Sequence, residues 1–450
     1  MSKTFLTICC WLLLLWTPLG RAEVGEIPIA LVGGLVIDGN GGIPIENGAI
    51  VVSGKTIVAV GDANTIVIPE DAQVIDVTGK AILPGLADMH VHLMGGWDGE
   101  SGDMLGYQRY LDALLYAGVT TVLDMGNVLP FIVQLRDEIA VGNLVGPRIY
   151  CVGPLVDGAA PRWPSLSIGL VSESQVPEVV SLLERSRVDA VKAYKGLSNP
   201  ILDELVSAAA NRSLPVFVDV GNRNGSFDVA VLGISAFAHV PTRLLESSVV
   251  TLAADKGIRF ISTLAQQERS ARRRLQDLTF LEQPLIADTH PPAFIDALRE
   301  YATSTLTEGE KSWAARSLIN LQSAFGNVKS LSGAGVLIVA GTDAPYPGVI
   351  QGESIHRELE LLVEAGLSPL KAISTATSNA AELMGAENWG SIEVGNFADL
   401  IVVSGRPDLY ISETRNIHMV MQNGRILDRD SLKFNPAHDP GFGTGVAVDD

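Results

Sequence analysis

The feature that most constrains the fold is a regular alternation of short apolar runs with helix-like stretches, which begins at Ile82 and continues to Asp343. Alternation of this kind is what parallel βα units require, and eight units fit a (β/α)₈ barrel of about 250 residues or more. We therefore predict an α/β protein with a TIM barrel over residues 82–389. The eight predicted strands are Ile82–His92, Thr120–Met125, Arg148–Gly153, Ala190–Tyr194, Pro215–Val220, Ala236–Val240, Arg259–Thr263 and Val336–Asp343.

Both ends of the chain differ in character from this alternating region. Residues 23–81 and 390–432 contain short runs rich in Val and Ile that are punctuated by Gly, Asn and Lys. Such runs are typical of β-strands joined by turns. We predict that the two ends pair into one small composite β-sandwich domain. Residues 433–450 are rich in Gly, Pro and Asp, and we expect them to form a flexible tail.

Residues 1–22 have the layout of a secretory signal peptide. Lys3 precedes an almost unbroken apolar run from Phe5 to Trp16, and the small residues Gly20 and Ala22 follow that run. The run is shorter than the roughly 20 apolar residues that a membrane-spanning helix needs. We therefore predict a cleaved leader and a secreted or periplasmic protein, with an uncleaved N-terminal anchor as the alternative.

The charge of the chain limits the partners that it can bind. The sequence has 51 acidic and 32 basic residues, which gives a net charge of −19. Loss of the leader would remove Lys3 and Arg21 and make the chain more acidic still. An acidic surface repels nucleic acid and anionic membranes. We expect a small-molecule substrate, no nucleic-acid partner and no stable membrane association after cleavage, and homo-oligomerisation stays open.

Two histidines, His90 and His92, stand one residue apart at the end of the first predicted barrel strand. Residues i and i+2 of a strand point to the same face, so the two imidazoles point the same way. Neutral imidazoles side by side are poorly suited to a dry core, because each needs polar partners. Metal ligation satisfies both, and we predict that these residues bind a metal ion.

Four other predicted strands end in groups that suit a metal site: Lys192, Asp219, His239 and Asp343. All of these ends should meet at the C-terminal face of the barrel, where the active sites of this fold lie. A carboxylate at Asp343 can hold a metal and take a proton from its bound water. Lys192 as a structural lysine paired to an acid, and His239 as a satisfied core histidine, are the alternatives.

Several segments together resemble the amidohydrolase superfamily, in the branch of imidazolonepropionase-like and Xaa-Pro dipeptidase-like enzymes. The resemblance runs from about residue 28 to residue 430 and implies a barrel with a composite β domain. It also implies one or two divalent metal ions, usually zinc, and hydrolysis of amides, lactams or esters. The segments that carry it are Ile82–His92, Ala117–Gly126, Gly341–Ala344, Ala376–Ala381 and Gly390–Val402.

The resemblance also assigns roles to individual residues. His90 and His92 match the first-strand ligands, His239 matches the sixth-strand ligand, and Asp343 matches the catalytic aspartate that also binds metal. Lys192 matches a lysine that is carbamylated by carbon dioxide and bridges two metals. Tyr194 shares the face of Lys192 and is a candidate for contact with the substrate, with packing at the strand end as the alternative.

The chain departs from the family pattern at two places. Asp219 stands where the family usually has a histidine; an aspartate oxygen can still bind zinc, and we predict that it does, although it can instead leave the second metal position weak or empty. After the third strand, where relatives often have Gly-Gly-His, this chain has Asp157 to Trp163. Contacts to the substrate are therefore expected to differ there.

We predict a metal-dependent amidohydrolase that cleaves a C–N bond of an amide, dipeptide or lactam with a metal-activated water. A single-metal deaminase or cyclic-imide hydrolase and a catalytically decayed binding protein are the alternatives. Residues 264–330 are mostly helix-like and contain the run Arg272 to Arg274. This segment is long enough to act as a lid over the mouth of the barrel. For the arginine run itself, a solvated helix face is the prediction.

Overall fold

The computed structural model describes residues 27–99, 101–103, 105–219 and 233–436. The predicted leader at residues 1–22, Val220 at the end of the fifth predicted strand, and the predicted tail beyond residue 436 lie outside the described residues. Within them the chain has a mixed α/β fold, as predicted, with one sheet built from both chain ends and two sheets of parallel strands. Among these residues, every helix is too short or too polar to cross a membrane.

Eight strands from the two ends of the chain form the first sheet. They are β1 (Ile29–Val36), β2 (Ile45–Ser53), β3 (Thr56–Asp62), β4 (Gln73–Asp76), β5 (Lys80–Pro84), β16 (Leu400–Ser404), β17 (Ile417–Gln422) and β18 (Arg425–Ile426). Their order is β18-β17-β16-β5-β1-β2-β3, with β4 also paired to β1. β16 runs antiparallel to β5, with Val402 opposite Ile82, and this pairing joins the two chain ends. Leu31, Ile50 and Val402 belong to the apolar core of this sheet.

In the sequence, the parallel strands lie between β5 and β16, that is, between the two chain ends that form the first sheet. They are β6 (Leu86–Val91), β7 (Val119–Asp124), β8 (Arg148–Cys151), β9 (Leu155–Asp157), β10 (Ser167–Gly169), β11 (Val191–Ala193), β12 (Val216–Val218), β13 (Ala236–Phe237), β14 (Arg259–Ile261) and β15 (Ile338–Val339). One sheet has the order β6-β7-β8 and the other the order β10-β9-β11-β12-β13-β14-β15. β9 and β10, two short strands after the third predicted one, were not predicted.

Backbone hydrogen bonds connect the two parallel sheets at both ends. Met89 N donates to Ala340 O at 3.0 Å and Asp343 N donates to His90 O at 2.7 Å, so the first and last parallel strands lie side by side. On the other flank, Asp189 N donates to Cys151 O at 2.8 Å. A single buried cluster, which includes Met89 and Phe217, takes side chains from strands of both sheets.

The predicted strand Ile82–His92 is two strands in the structure. β5 belongs to the first sheet and β6 to a parallel sheet, and the chain passes from one to the other at Gly85. A Cβ atom on Gly85 would lie 2.2 Å from Thr120 Oγ1, so only glycine fits this crossing. The alternation of apolar residues continues across the break, which explains why the sequence reads as one strand.

The described residues contain twelve helices. They are α1 (Tyr107–Tyr116), α2 (Phe131–Ala140), α3 (Val176–Arg185), α4 (Asn199–Ala210), α5 (Ser247–Asp255), α6 (Leu264–Ser270), α7 (Pro284–Ala287), α8 (Pro292–Thr303), α9 (Glu308–Gly333), α10 (Glu353–Glu364), α11 (Pro369–Thr375) and α12 (Ser378–Leu383). The longest, α9, begins at a capping box. Thr307 Oγ1 accepts from Glu310 N at 3.2 Å and the Glu310 carboxylate accepts from Thr307 N at 2.8 Å, so two N–H groups at the start of the helix are satisfied.

The segment 264–330 is largely helical, as predicted, but its arginine run is not a solvated helix face. Arg272 donates to the carbonyl oxygens of Tyr301 and Ala302, both at 3.0 Å. Arg273 pairs with Glu268 and Arg274 pairs with the buried Glu353. The run is therefore held by hydrogen bonds and ion pairs, and the acceptors of Arg272 and Arg274 lie too far away in sequence for a local pattern to reveal.

Candidate metal centre

The structure brings all of the predicted site residues into one cavity. His90 and His92 lie at the end of β6, Lys192 lies in β11, and Asp219, His239 and Asp343 lie just beyond the ends of β12, β13 and β15. Together with Tyr194, these residues line a cavity of about 250 Å³. The cavity thus opens at the carboxyl ends of the parallel strands, which is where ligands bind in parallel α/β proteins.

We call six of these residues the metal cluster: His90, His92, Lys192, Asp219, His239 and Asp343. One ligand atom each of His90, His239 and Asp343 lies within 4.8 Å of the others, which is close enough for one ion to contact all three. The Nε2 atoms of His90 and His92 lie 3.4 and 3.1 Å from Asp343 Oδ1. Three imidazoles and a carboxylate in this arrangement have the chemistry of a zinc-type ligand set.

Hydrogen bonds outside the cluster orient two of the imidazoles. His90 Nδ1 lies 3.0 Å from Ala238 O, and because a carbonyl oxygen only accepts, Nδ1 carries the proton and Nε2 is left with a lone pair toward Asp343. His239 Nδ1 lies 2.7 Å from Thr263 Oγ1. Contacts of this kind are typical of metal-binding histidines, because they fix both the tautomer and the direction of the ring.

Asp343 is held by its backbone as well as by its neighbours. Its φ angle is +64°, in the left-handed region that few residues other than glycine adopt. The preceding residue, Thr342, donates its N–H and its hydroxyl to the buried Asp88 carboxylate at 2.9 and 2.6 Å. Asp88 therefore fixes the turn that presents Asp343, a role that the sequence motif around His90 did not suggest.

Lys192 is buried among these groups, with a relative exposure of 1%. Its ammonium makes no hydrogen bond or ion pair with any residue that the structure describes. Burial lowers the pKa of Lys192 to about 8, against the opposing charges of Asp219 and Asp343. The structural alternative, a lysine in direct contact with an acid, is therefore not seen within the described residues. A buried amine beside two carboxylates and three imidazoles fits a site that binds a further group.

Asp219 occupies the place where the family pattern has a histidine. Its Oδ2 atom lies 3.6 Å from His239 Nε2. Burial would raise the pKa of Asp219, but the neighbouring His239 imidazole and the charge of Lys192 outweigh it and hold the pKa well below its usual range. The side chain is therefore an anionic carboxylate that lies against a candidate ligand, and it fits a metal position.

The rest of the cavity is mainly apolar. Tyr194 lies on its wall, and Trp163 Nε1 donates to the Tyr194 hydroxyl oxygen at 3.3 Å. Sequence reasoning named neither Trp163 nor Thr263 as a functional residue, because only their distant partners reveal a role. The other apolar lining residues include Met94, Met125, Val128, Leu155, Leu166, Pro345 and Tyr346.

The model of the amidohydrolase family matches residues 81–427, which is most of the chain and includes every residue of the metal cluster. The chain belongs to the amidohydrolase family. Members of this family are metal-dependent hydrolases that act on carbon–nitrogen bonds, so the chain is an enzyme of that kind and the predicted resemblance is confirmed.

Individual relatives are distant but cover nearly the whole chain. An imidazolonepropionase from Alkaliphilus metalliredigens is 24% identical over 420 residues, which cover 85% of this chain and 90% of the relative. An ochratoxinase from Aspergillus niger is 24% identical over 471 residues, with 91% and 88% covered. The crystal structure of a Xaa-Pro dipeptidase with bound methionine superposes with a TM-score of 0.72, at 23% identity, with 89% and 99% covered.

Proposed function

We propose that this protein hydrolyses the C–N bond of a small amide, dipeptide or lactam with water activated by one or two zinc ions. The observation that carries the proposal is the convergence of His90, His239 and Asp343, whose ligand atoms lie within 4.8 Å of one another on the wall of a closed-in cavity. His92 and Asp219, which adjoin this triad, complete the ligand set together with a carbamylated Lys192.

The bound metal would supply Lewis-acid activation of a water molecule and of the substrate carbonyl. Asp343 is the proposed proton carrier: its carboxylate takes the proton of the attacking water and delivers it to the leaving nitrogen. The Ala238 carbonyl and the Thr263 hydroxyl hold His90 and His239 in a fixed direction. Tyr194 is proposed to donate a hydrogen bond from its hydroxyl group to the substrate.

Carbamylation of Lys192 accounts for its environment. The neutral amine attacks carbon dioxide, a new N–C bond forms, and a proton leaves, so that a buried cation is replaced by an anion able to bridge two metals. The lowered pKa of Lys192, about 8, makes the neutral amine accessible near neutral pH. The lack of an ion-pair partner for Lys192 among the described residues supports this proposal.

We also propose that the parallel strands form one barrel, that the chain ends form a β-sandwich, and that the protein is secreted or periplasmic. The hydrogen bonds that connect the two parallel sheets at both flanks support a single closed (β/α)₈ barrel, and the eight-stranded sheet of the two chain ends would form the small β-sandwich. The signal-peptide pattern at residues 1–22 supports secretion or a periplasmic location. A small diffusible substrate suits a secreted protein as well as a periplasmic one.

Metal analysis and a turnover screen test this proposal. The purified protein should contain at least one equivalent of divalent metal. With zinc and bicarbonate present, it should cleave at least one member of a panel of dipeptides, N-acyl amino acids, lactams and esters. Less than half an equivalent of metal, with no activity gained on addition of zinc, would overturn the proposal. A full complement of metal without any turnover would favour a catalytically decayed binding protein.

A single-metal deaminase or cyclic-imide hydrolase is the second candidate. The replacement of a family histidine by Asp219 favours it, because the triad of His90, His239 and Asp343 can hold one ion without Lys192 or Asp219. Single-metal chemistry does not need a bridging lysine. A Lys192→Ala variant with full activity and unchanged metal content would therefore favour this second candidate.

A further inference from the structure

One wall of the cavity is built by two loops whose backbones touch. The buried carboxylate of Asp157, the last residue of β9, accepts from Gly158 N and Gly196 N, both at 2.8 Å, and from Arg162 N at 3.0 Å. A Cβ atom on Gly158 would lie 2.1 Å from the carbonyl oxygen of Gly196. The loop that carries Trp163 is therefore docked firmly on the loop that follows Tyr194.

This docking places two aromatic side chains in a defined relation. Trp163 Nε1 lies 3.3 Å from the Tyr194 hydroxyl oxygen. An indole N–H can only donate, so the phenol oxygen is the acceptor and its own proton remains available. No acceptor for that proton exists among the described residues, and both side chains line the cavity. The hydroxyl proton is thus held ready for an acceptor on a bound molecule.

The cavity also offers apolar side chains. Leu155, Leu166, Met94 and Met125 line the same cavity as Trp163. The guanidinium carbon of Arg162 lies 4.8 Å from the centre of the Trp163 ring, which fixes the ring from outside the apolar lining. The lining side chains Trp163, Leu155, Leu166, Met94 and Met125 are themselves uncharged, unlike the metal cluster, so they suit an apolar part of a substrate.

Resting on the proposed function, we propose that Trp163 is a specificity residue for amides that carry an aromatic or large aliphatic group beside the scissile bond. Its ring packs against that group together with the neighbouring leucines and methionines. Its indole N–H acts through Tyr194, because it directs the phenol proton toward an acceptor of the same substrate. Trp163 follows β9 in the segment Asp157 to Trp163, where contacts to the substrate are expected to differ from those of relatives.

The ring contribution is tested by binding, which needs no turnover. The probes are 3-phenylpropionate and propionate, titrated calorimetrically into the metal-loaded full-length protein. Burial of the phenyl group should favour phenylpropionate by roughly ten- to one-hundredfold. Trp163→Ala should reduce this ratio to about threefold or less, while Trp163→Phe, which keeps a ring, should retain most of it. Trp313→Phe is the matched control, since Trp313 is 57% exposed on α9.

The indole N–H contribution is tested by a double-mutant cycle on hydrolysis of an N-acyl phenylalanine. Trp163→Phe and Tyr194→Phe should each reduce kcat/KM by roughly three- to tenfold, the value of one hydrogen bond. If Trp163 acts through Tyr194, the double variant should be no worse than Tyr194→Phe alone. Additive losses would overturn the positioning role.

The outcomes separate this inference from the proposed function. Selective phenylpropionate binding that disappears in Trp163→Ala, without any amide hydrolysis, would support the pocket and refute the reaction. Amide hydrolysis without a phenyl preference, or with a preference that survives in Trp163→Ala, would refute the pocket and leave the reaction intact. Circular dichroism melting of each variant identifies loss of folding. If Trp163→Ala does not fold, Trp163→Gln, which keeps a side chain of some bulk without a ring, replaces it and should likewise lose the phenyl preference.

Discussion

Among the described residues, two clusters of largely buried charged and titratable side chains differ in how their charges are paired. The first is the metal cluster. The second, which we call the arginine network, joins α6 and the segment after it to α10 and to Arg415. Its members are Glu268, Arg273, Arg274, Glu353, Arg357, Glu360, Glu364 and Arg415.

In the arginine network every buried carboxylate meets guanidinium groups directly. Glu353 is fully buried and lies 2.6 Å from Arg274 and 3.2 Å from Arg415, and Glu268 lies 2.6 Å from Arg357. In the metal cluster Lys192 is equally buried but has no such partner among the described residues. An unpaired buried charge is costly. The arginine network therefore needs no further partner, whereas the metal cluster needs a bound group to compensate its charges. The two clusters should therefore respond in opposite ways to substitution.

The largest expected effect on activity is that of Asp343→Asn. Loss of the proposed proton carrier should reduce kcat by roughly 100- to 10,000-fold, with little change in melting temperature. Steady-state kinetics and thermal unfolding of the metal-loaded protein measure both. Asp296→Asn is the matched control, because Asp296 lies exposed on α8. Activity that survives in Asp343→Asn would show that the metal cluster works without this carboxylate.

The arginine network should show the reverse pattern. Glu353→Gln leaves Arg274 without a carboxylate partner and Arg415 with Glu360 alone, and the free energy of unfolding should fall by about 3–5 kcal/mol. Metal content of the folded fraction should not change. Glu364→Gln removes a partly exposed partner of Arg273 and should cost about 1 kcal/mol or less. Denaturant unfolding of the two variants, together with metal analysis, measures these effects. Equal losses of unfolding free energy in Glu353→Gln and Glu364→Gln would contradict the contrast between the arginine network and the metal cluster.

The pH dependence of stability sharpens the same contrast. Burial would raise the pKa of Glu353, but the charges of Arg274 and Arg415 outweigh it and lower the pKa from 4.5 to about 2. A lowered folded-state pKa gives stability that is present above about pH 4.5 and is lost as the pH falls toward about 2, about 3 kcal/mol in all. The stability gap between the native protein and Glu353→Gln should therefore narrow between pH 5 and pH 3, measured by unfolding at each pH. A constant gap would mean that the ion pairs contribute little.

A smaller effect is expected from Lys192→Ala. If a carbamylated Lys192 bridges two metals, the variant should lose about half of its metal, and activity should fall by roughly 10- to 100-fold. In the native protein, removal of bicarbonate during metal loading should have a similar effect. Lys371→Ala, at an exposed position in α11, is the control. Unchanged metal content in Lys192→Ala would show that the buried lysine needs no bound group.

The contrast between the clusters also explains what could be predicted from the sequence. Each member of the metal cluster stands at the carboxyl end of a recognisable apolar run, so local periodicity placed all six on one face of the fold. The arginine network has no such signature, because Glu353 and Arg415 are 62 residues apart and meet only through packing. For the same reason the sequence predicts a solvated face for the arginine run at 272–274 and no role for Asp88 or Thr263, and it indicates Trp163 only as part of the segment Asp157 to Trp163.

The sequence by itself determined the type of strand and helix, the donors at the strand ends and the family, because side-chain alternation and residue chemistry are local properties. Tertiary structure decided where the first predicted strand divides, since only the approach of Thr120 makes Gly85 the crossing point. It also decided which neighbours orient each ligand and which wall adjoins the metal cluster. Those choices depend on contacts between residues far apart in the chain, which form only when the whole core packs.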